Sequence, residues 1–145
     1  MCVDGHSIPC NSAWHSERTV FAVATAVAVP GVVDGLGLGQ NARSALITRG
    51  FAEMMRFGVA LGGQAETLTG LCGLGDLVLT CSSTSSRNFS LGKALGEGMS
   101  AAEALADKRT VAEGAHTAPV LRELAARHQV SMPMVSTRLR MSLQP

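Results

Sequence analysis

The chain of 145 residues is long enough for one domain with a real core and short for two. Because 46% of its residues are hydrophobic and only 16% are charged, the composition excludes a disordered chain. Lys and Arg total 12 against 11 for Asp and Glu, and there is one Trp and no Tyr, so neither charge nor aromatic content favours a nucleic-acid or anionic-membrane partner.

The longest apolar run, VFAVATAVAVPGVV at residues 20–33, is too short to cross a bilayer. It contains Pro30, and a span needs roughly 20 apolar residues. The mixed polar stretch NSAWHSERT precedes it, where a secretory signal would need a basic start. The sequence therefore predicts a cytoplasmic protein with no membrane segment.

Residues 1–17 lack periodicity and are predicted to be an irregular tail before one helical domain at 18–145. The tail carries four possible zinc ligands, Cys2, His6, Cys10 and His15. Their nearly even spacing matches no compact zinc knuckle, so a frayed or non-native terminus is the favoured interpretation and no metal site is assigned. A zinc-stabilised interaction domain is the alternative for this segment.

The Val-Ala alternation that begins at residue 20 fits either a buried strand or a buried helix, and the glycine run at its end favours a helix. No segment has a convincing strand pattern, so we predict an all-α fold. Asn41 is the expected N-cap of a long helix that Gly62-Gly63 close. Short helices are expected at 64–71 and 75–79, followed by one at 87–95. The buried stripe of the long helix is predicted to contain Ile47, Phe51, Met54 and Leu61.

Two later helices have start signals. Ser100 and Glu103, three residues apart, form the capping-box pattern. Thr117 is the expected cap of the next helix, with Pro119 in its first turn. The predicted inner face of that helix consists of Val120, Leu121, Leu124 and His128. A last short helix is expected near Pro133.

The glycine run in DGLGLGQNARSAL does not fit a dinucleotide-binding loop. That motif needs Gly-x-Gly-x-x-Gly between a strand and a helix, whereas here the third glycine comes one residue early. We interpret the run as a tight turn between two packed helices. A nucleotide cofactor would have to be bound by a sheet outside these residues.

The stretch TCSSTSSRN, residues 80–88, is either a solvated loop leading into a helix or an anion site. Arg87 offers a planar fork suited to phosphate, and Asn88 can both donate and accept. At a helix start they would join free backbone N–H groups, with Ser86 as the cap. Asp76 lies in the apolar run just before and must be either paired or exposed.

Several stretches resemble a known family. DGLGLGQNARSALITRGFAEMMRFGVALGG, TLTGLCGLGDLVLTCSSTSSRN, LGKALGEG, VAEG and the MP at 132–133 are similar, in unbroken order, to the C-terminal helical domain of NAD(P)-dependent glycerol-3-phosphate dehydrogenase. The resemblance implies a multi-helix domain of the 6-phosphogluconate dehydrogenase-like type, which binds substrate and packs against a separate nucleotide-binding domain. It further implies a homodimer, NAD or NADP as cofactor, and interconversion of sn-glycerol 3-phosphate and dihydroxyacetone phosphate for glycerophospholipid synthesis.

The resemblance also implies substrate contacts for five residues. Asp76 matches the acid that hydrogen-bonds the substrate and the catalytic lysine, a supporting catalytic role. Thr80 sits where the family places a hydroxyl near the substrate. Ser86, Arg87 and Asn88 match the family's substrate-phosphate site.

Cofactor contacts are implied for three residues. Arg87 matches a residue that touches the cofactor as well as the substrate. Val111 and Glu113, in VAEG, match residues that line the far side of the cofactor. The nucleotide-binding domain that would hold most of the cofactor is not among these residues, which indicates the C-terminal part of a longer product.

The sequence departs from the family at the catalytic lysine. The family has Ala-Leu-Lys-Asn at the opening of the first long helix, where this chain reads SERTVFAVATAV, and its first lysine is Lys93. Arg18 lies nearest, but a guanidinium cannot exchange a proton near neutral pH. A non-catalytic helical module, either a pseudoenzyme or a remnant, is therefore the alternative function.

Four other basic side chains are interpreted as structural. Lys93 and Lys108 are predicted to be surface charges. Arg43 and Arg49 are expected to pair with Glu53 or to lie at a domain face.

Overall fold

The computed structural model describes residues 27–106 and 113–136. Every regular element in these two ranges is helical, which confirms the all-α fold class. None of the helices in these ranges is long and apolar enough to cross a membrane. The predicted tail, its four possible zinc ligands and the domain start at residue 18 lie outside the described residues and stay predictions.

The described residues form eight helices and one wider turn. In chain order these are α1 at 27–35, α2 at Gly39–Ala60, α3 at Ala65–Thr69, a π-helical turn at Leu71–Gly75, α4 at Asp76–Thr80, α5 at Arg87–Gly96, α6 at Ala101–Ala106, α7 at Glu113–Arg127 and α8 at 133–136. The expected helices at 64–71, 75–79 and 87–95 are confirmed to within a few residues.

Helix α1 approaches α5 through two glycines. A Cβ added at Gly31 would lie 2.2 Å from the carbonyl oxygen of Phe89, and one at Gly35 would lie 2.2 Å from that of Lys93. Real side chains do not tolerate such distances, so only glycine lets the two backbones come this close. The glycine run thus has two roles, because Gly35 packs between helices while Gly37 adopts the positive φ of the predicted turn.

Helix α5 contributes two glycines of its own to this contact. A Cβ on Gly92 would lie 2.0 Å from the carbonyl oxygen of Ala28, and one on Gly96 would lie 2.3 Å from that of Val32. Residue numbers rise together along both helices at these contacts, so α1 and α5 run parallel. The start of α5 therefore lies beside the start of the described part of α1.

Helix α2 ends as the glycine pair predicts. The N–H of Gly63 donates to the carbonyl of Gly58 at 2.8 Å, and that of Gly62 donates to Val59 at 2.9 Å. Gly62 has φ +87, so this is a Schellman ending with glycine at the left-handed position. The capping box is confirmed as well, since the Ser100 N–H donates to a Glu103 carboxylate oxygen at 3.0 Å and the Glu103 N–H donates to the Ser100 hydroxyl at 3.2 Å.

Two predicted helix starts are wrong. Asn41 lies inside α2, which begins at Gly39, and Thr117 lies inside α7, which begins at Glu113. Pro119 is consequently in the interior of α7 rather than in its first turn. A side-chain cap is a local preference that tertiary packing overrides when neighbouring helices fix where the chain enters.

The predicted inner face of α7 is correct for two of its four residues. Leu121 is buried and Leu124 is half-buried, as predicted, but Val120 is 63% exposed and His128 is exposed. The buried stripe instead continues to Ala125, four residues after Leu121. This is the spacing that keeps side chains on one side of a helix.

Two clusters of buried side chains form most of the core. The first, which we call the α4–α5 core, contains Val27, Met54, Leu77, Cys81 and Phe89, with Ile47 and Phe51 against it. The second, the α7–α8 core, contains Phe57, Leu121, Ala125, Met132 and Val135, with Leu61 against it. Helix α2 supplies side chains to both. Of its predicted stripe, Met54 is buried and Ile47, Phe51 and Leu61 are half-buried, whereas the fully buried Phe57 was not predicted.

A buried carboxylate attaches α8 to α2. Glu53 is 1% exposed, and both of its oxygens accept from the N–H of Met134 at 3.1 Å. Arg49 lies 3.8 Å from one of them, as predicted. Burial raises the pKa of Glu53 above its ordinary 4.5, and the backbone hydrogen bonds and nearby arginines oppose that rise only in part.

We expect Gly92→Ala to lower the free energy of unfolding by about 2–3 kcal/mol, although alanine is the better helix former by about 1 kcal/mol. The added methyl meets the Ala28 carbonyl oxygen, which belongs to backbone and cannot move aside. Gly58→Ala is the matched control, because its Cβ would meet only the flexible end of Leu68 at 2.8 Å. Urea denaturation of both variants measures the difference, and equal stabilities would contradict the backbone contact.

The raised pKa of Glu53 predicts a pH dependence of stability. The carboxyl of Glu53 takes up a proton more easily in the folded state, so its effect on the free energy of unfolding is most favourable below the unfolded pKa of 4.5. This favourable effect is lost as the pH rises through the folded pKa. We therefore expect Glu53→Gln to gain stability relative to the unsubstituted chain between pH 4 and pH 7, measured by urea denaturation at each pH. A difference that stays constant over this range would contradict the burial cost, and Glu123→Gln reports the effect of removing an exposed carboxyl.

Candidate functional site

The hydroxyl-rich loop before α5 is held by a side chain of α5 and by its own backbone. The Ser90 hydroxyl donates to the Thr84 carbonyl at 2.6 Å, and the Ser86 N–H donates to the Ser83 carbonyl at 3.0 Å. The Ser86 hydroxyl accepts from the N–H of Phe89 at 3.4 Å, so Ser86 is the cap of α5 as predicted. The loop thus fixes where α5 begins.

Arg87 and Asn88 occupy the first turn of α5. The Arg87 side chain is exposed, and its guanidinium is available to a ligand. Asn88 is half-buried, and its carboxamide oxygen Oδ1 is buried with no hydrogen-bond partner among the described residues. Buried polar atoms are paired in the great majority of cases, so this oxygen indicates a donor that comes from outside these residues.

Asp76 is the first residue of α4 and is exposed, which settles the choice between paired and exposed. The hydroxyl of Thr80, one turn later, donates to the Asp76 carbonyl at 2.7 Å and lies 3.2 Å from the Leu77 carbonyl. Its proton is therefore committed to the helix backbone, and toward a ligand the Thr80 oxygen can act as an acceptor.

The starts of α4 and α5 flank one core cluster. Leu77, next to Asp76, and Phe89, next to Asn88, are both buried in the α4–α5 core. Cys81 lies in the same cluster. The substrate residues suggested by the sequence therefore border a shared packing unit, while α7 and α8 pack in the other one.

The buried Cys81 is not a nucleophile. Burial and, to a smaller extent, the charge of Asp76 raise the pKa of its thiol to about 12, against an opposing effect of Arg43. At neutral pH the thiol is protonated, and only the thiolate reacts. Cys81 is a core residue whose surroundings show that the charges of Asp76 and Arg43 both act near this cluster.

Sequence reasoning missed an ion cluster centred on Asp34. One carboxylate oxygen accepts from Arg43 Nη1 at 3.1 Å and the other accepts from Lys93 Nζ at 3.1 Å. Arg43 thus pairs with Asp34 rather than Glu53, and Lys93 is half-buried and ion-paired rather than a free surface charge. The sequence does contain a signal for the Asp34–Arg43 pair, since the acid comes just before a tight turn and the base just after it. Two helices joined by such a turn bring these side chains together.

Two of the predicted cofactor contacts lie in the VAEG stretch before and at the start of α7. Val111 lies outside the described residues, and Glu113 is the first residue of α7, where only its backbone position is described. Within the described ranges there is no group of three or more side chains suited to hold a metal ion.

Comparison with known proteins identifies the family. The family described as NAD-dependent glycerol-3-phosphate dehydrogenase C-terminus matches residues 20–142. The chain belongs to this family. The chain is similar to glycerol-3-phosphate dehydrogenase from Coxiella burnetii, a crystal structure, with a TM-score of 0.82 and 43% sequence identity. The match covers 88% of this chain and 39% of that one.

Curated relatives agree with this assignment. A glycerol-3-phosphate dehydrogenase [NAD(P)+] of Erythrobacter litoralis is 75% identical over 81% of the chain, and one of Novosphingobium aromaticivorans is 70% identical over the same share. The match spans 34% of each relative's length, so the chain corresponds to about one third of these proteins.

Proposed function

We propose that this chain is the substrate-binding domain of an NAD(P)-dependent glycerol-3-phosphate dehydrogenase. Together with a nucleotide-binding domain, in cis or in trans, it would interconvert sn-glycerol 3-phosphate and dihydroxyacetone phosphate as a precursor step of glycerophospholipid synthesis. The proposal includes a homodimer in the cytoplasm. Family membership and the chemistry at the start of α5 support it.

The observation that carries the proposal is the first turn of α5. Ser86 caps the helix, Arg87 presents an exposed guanidinium, and the buried Oδ1 of Asn88 has no donor within residues 27–106 and 113–136. First-turn N–H groups and the helix dipole favour an anion at this end. A guanidinium adds a bidentate, charge-assisted contact to a phosphate.

A three-carbon alcohol phosphate supplies both kinds of group that this turn needs. Its phosphate accepts from Arg87, from the Asn88 amide nitrogen and from backbone N–H groups. A phosphate dianion has no proton to give, so it cannot satisfy Asn88 Oδ1, but a substrate hydroxyl can. Asp76, which is exposed, and Thr80, which is half-buried one turn later on α4, are the proposed contacts for the reacting end.

NAD or NADP is the proposed cofactor, and most of its contacts would come from the nucleotide-binding domain. When bound, the nicotinamide accepts or supplies the hydride. The exposed Arg87 fits an anionic cofactor because its guanidinium carries no ion pair among the described residues. Val111 and Glu113 are proposed to line the far side of the cofactor.

A non-catalytic helical module is the second candidate. It is favoured by the sequence SERTVFAVATAV, which has no lysine where the family has its proton donor. Such a module would keep the packing and the phosphate contacts but would not turn over substrate. Binding and turnover therefore have to be tested separately.

We expect Arg87→Lys to weaken binding of glycerol 3-phosphate by about 1–3 kcal/mol, because an ammonium cannot reproduce the bidentate contact. Isothermal titration calorimetry measures the dissociation constant. Arg122→Lys, on the exposed side of α7, is the matched control and should leave it unchanged. An unchanged constant for Arg87→Lys would remove Arg87 from the site, and no millimolar binding by the unsubstituted chain would contradict the proposal.

Turnover is tested in a chimera in which the Erythrobacter litoralis relative supplies only the nucleotide-binding domain, joined ahead of residue 16. The chimera thereby keeps this chain's own SERTVFAVATAV segment, on which the second candidate depends. We expect the chimera to oxidise NADH or NADPH when dihydroxyacetone phosphate is added, followed by absorbance at the nicotinamide band. A folded, phosphate-binding chimera without turnover would favour the non-catalytic module.

A further inference from the structure

Helices α1 and α5 approach each other closely through four glycines, Gly31, Gly35, Gly92 and Gly96, which face backbone carbonyls of the neighbouring helix. Val27 of α1 and Phe89 of α5 also pack in one core cluster. Ridges of side chains in grooves set the relative position of most packed helices, and a glycine supplies no side chain to such a ridge. Polar contacts beside the glycines can therefore contribute to the position of α5 along α1.

Asp34 makes such contacts. Its Oδ2 accepts from Lys93 Nζ on α5 at 3.1 Å, and its Oδ1 accepts from Arg43 Nη1 near the start of α2, also at 3.1 Å. The three side chains are between 24% and 36% exposed, so the protein shields them partly from solvent. One carboxylate at the end of α1 thus connects α1, α2 and α5.

Lys93 is on the same helix as the proposed phosphate site. It follows Arg87 by six residues, or about 9 Å along a rigid α-helix. A displacement of α5 along its axis at Lys93 therefore reaches Arg87 and Asn88 undiminished. Helix α2, the other partner of Asp34, supports α4 through the α4–α5 core.

We propose that Asp34 is a positioning residue. By holding Lys93 and Arg43, it sets where the first turn of α5 lies relative to Asp76 on α4, and thereby sets the affinity for the phosphorylated substrate. This inference rests on the proposed function. Asp34 acts through the two helices and contacts neither substrate nor cofactor.

The test uses the variants Asp34→Asn, Lys93→Gln and their combination, with inorganic phosphate as the probe. Asp34→Asn removes the charge and keeps the size. Backbone amide shifts of α5 give the dissociation constant for phosphate, and the NOE between Gly92 Hα and the Val32 amide proton reports the helix position. A Cβ on Gly92 would lie 3.1 Å from the Val32 nitrogen, so these protons are close.

We expect Asp34→Asn to weaken this NOE and to raise the dissociation constant for phosphate about three- to tenfold, since small displacements of a binding group reduce its contribution steeply. The double variant should be no weaker than the weaker single variant, because both substitutions remove the same contact. Glu123→Gln is the control, because it breaks the exposed 2.7 Å pair with Arg127 on α7 and should change neither reading. A loss of stability alone would not alter the affinity of the folded population.

An unchanged NOE and an unchanged dissociation constant in Asp34→Asn would overturn the inference. Independent effects of Asp34→Asn and Lys93→Gln that multiply in the double variant would do the same. If the unsubstituted chain binds no phosphate, the proposed function fails, and the NOE alone then decides whether Asp34 positions α5. An NOE that weakens in Asp34→Asn but not in Glu123→Gln would support the positioning role in that case.

Discussion

The backbone contact between α1 and α5 is the constraint on which the rest of the described structure depends. Two glycines from each helix bring carbonyl oxygens to distances that leave no room for a Cβ. Because the helices run parallel, the capped start of α5 lies beside the start of the described part of α1. The α4–α5 core forms around this pair, with Val27 from α1 and Phe89 from α5 both buried in it.

Helix α2 connects the α4–α5 core to the α7–α8 core. Met54 faces the α4–α5 core and Phe57 faces the α7–α8 core, so one helix belongs to both packing units. One residue before Met54 on the same helix, buried Glu53 accepts the N–H of Met134. The charged form of Glu53 is costly to bury, which indicates that attachment of α8 through a specific polar contact comes at the expense of some stability at neutral pH.

At the candidate site, chemistry follows from this framework rather than from the loop alone. Before α5, the Ser83 hydroxyl accepts from the N–H of Ser85, the Thr84 carbonyl accepts from the Ser90 hydroxyl, and Ser86 caps the helix. An exposed guanidinium at Arg87 and an acceptor at Asn88 that no described residue satisfies are left for a ligand. This combination of a cation and a buried acceptor suits a small phosphate that also carries hydroxyl groups.

Local patterns in the sequence determined the fold class, the bounds of α5, the Gly62 ending of α2, the Ser100–Glu103 capping box and the Ser86 cap, because each depends on residues within one turn of one another. Tertiary structure alone decided the rest. The Asp34 cluster joins residues 59 apart in sequence, and the true starts of α2 and α7 are set by packing that outweighs the capping preferences of Asn41 and Thr117. The requirement for glycine at position 92 is likewise tertiary, because it comes from the Ala28 carbonyl of another helix. The residues next to Gly92 in sequence do not show which backbone will approach it.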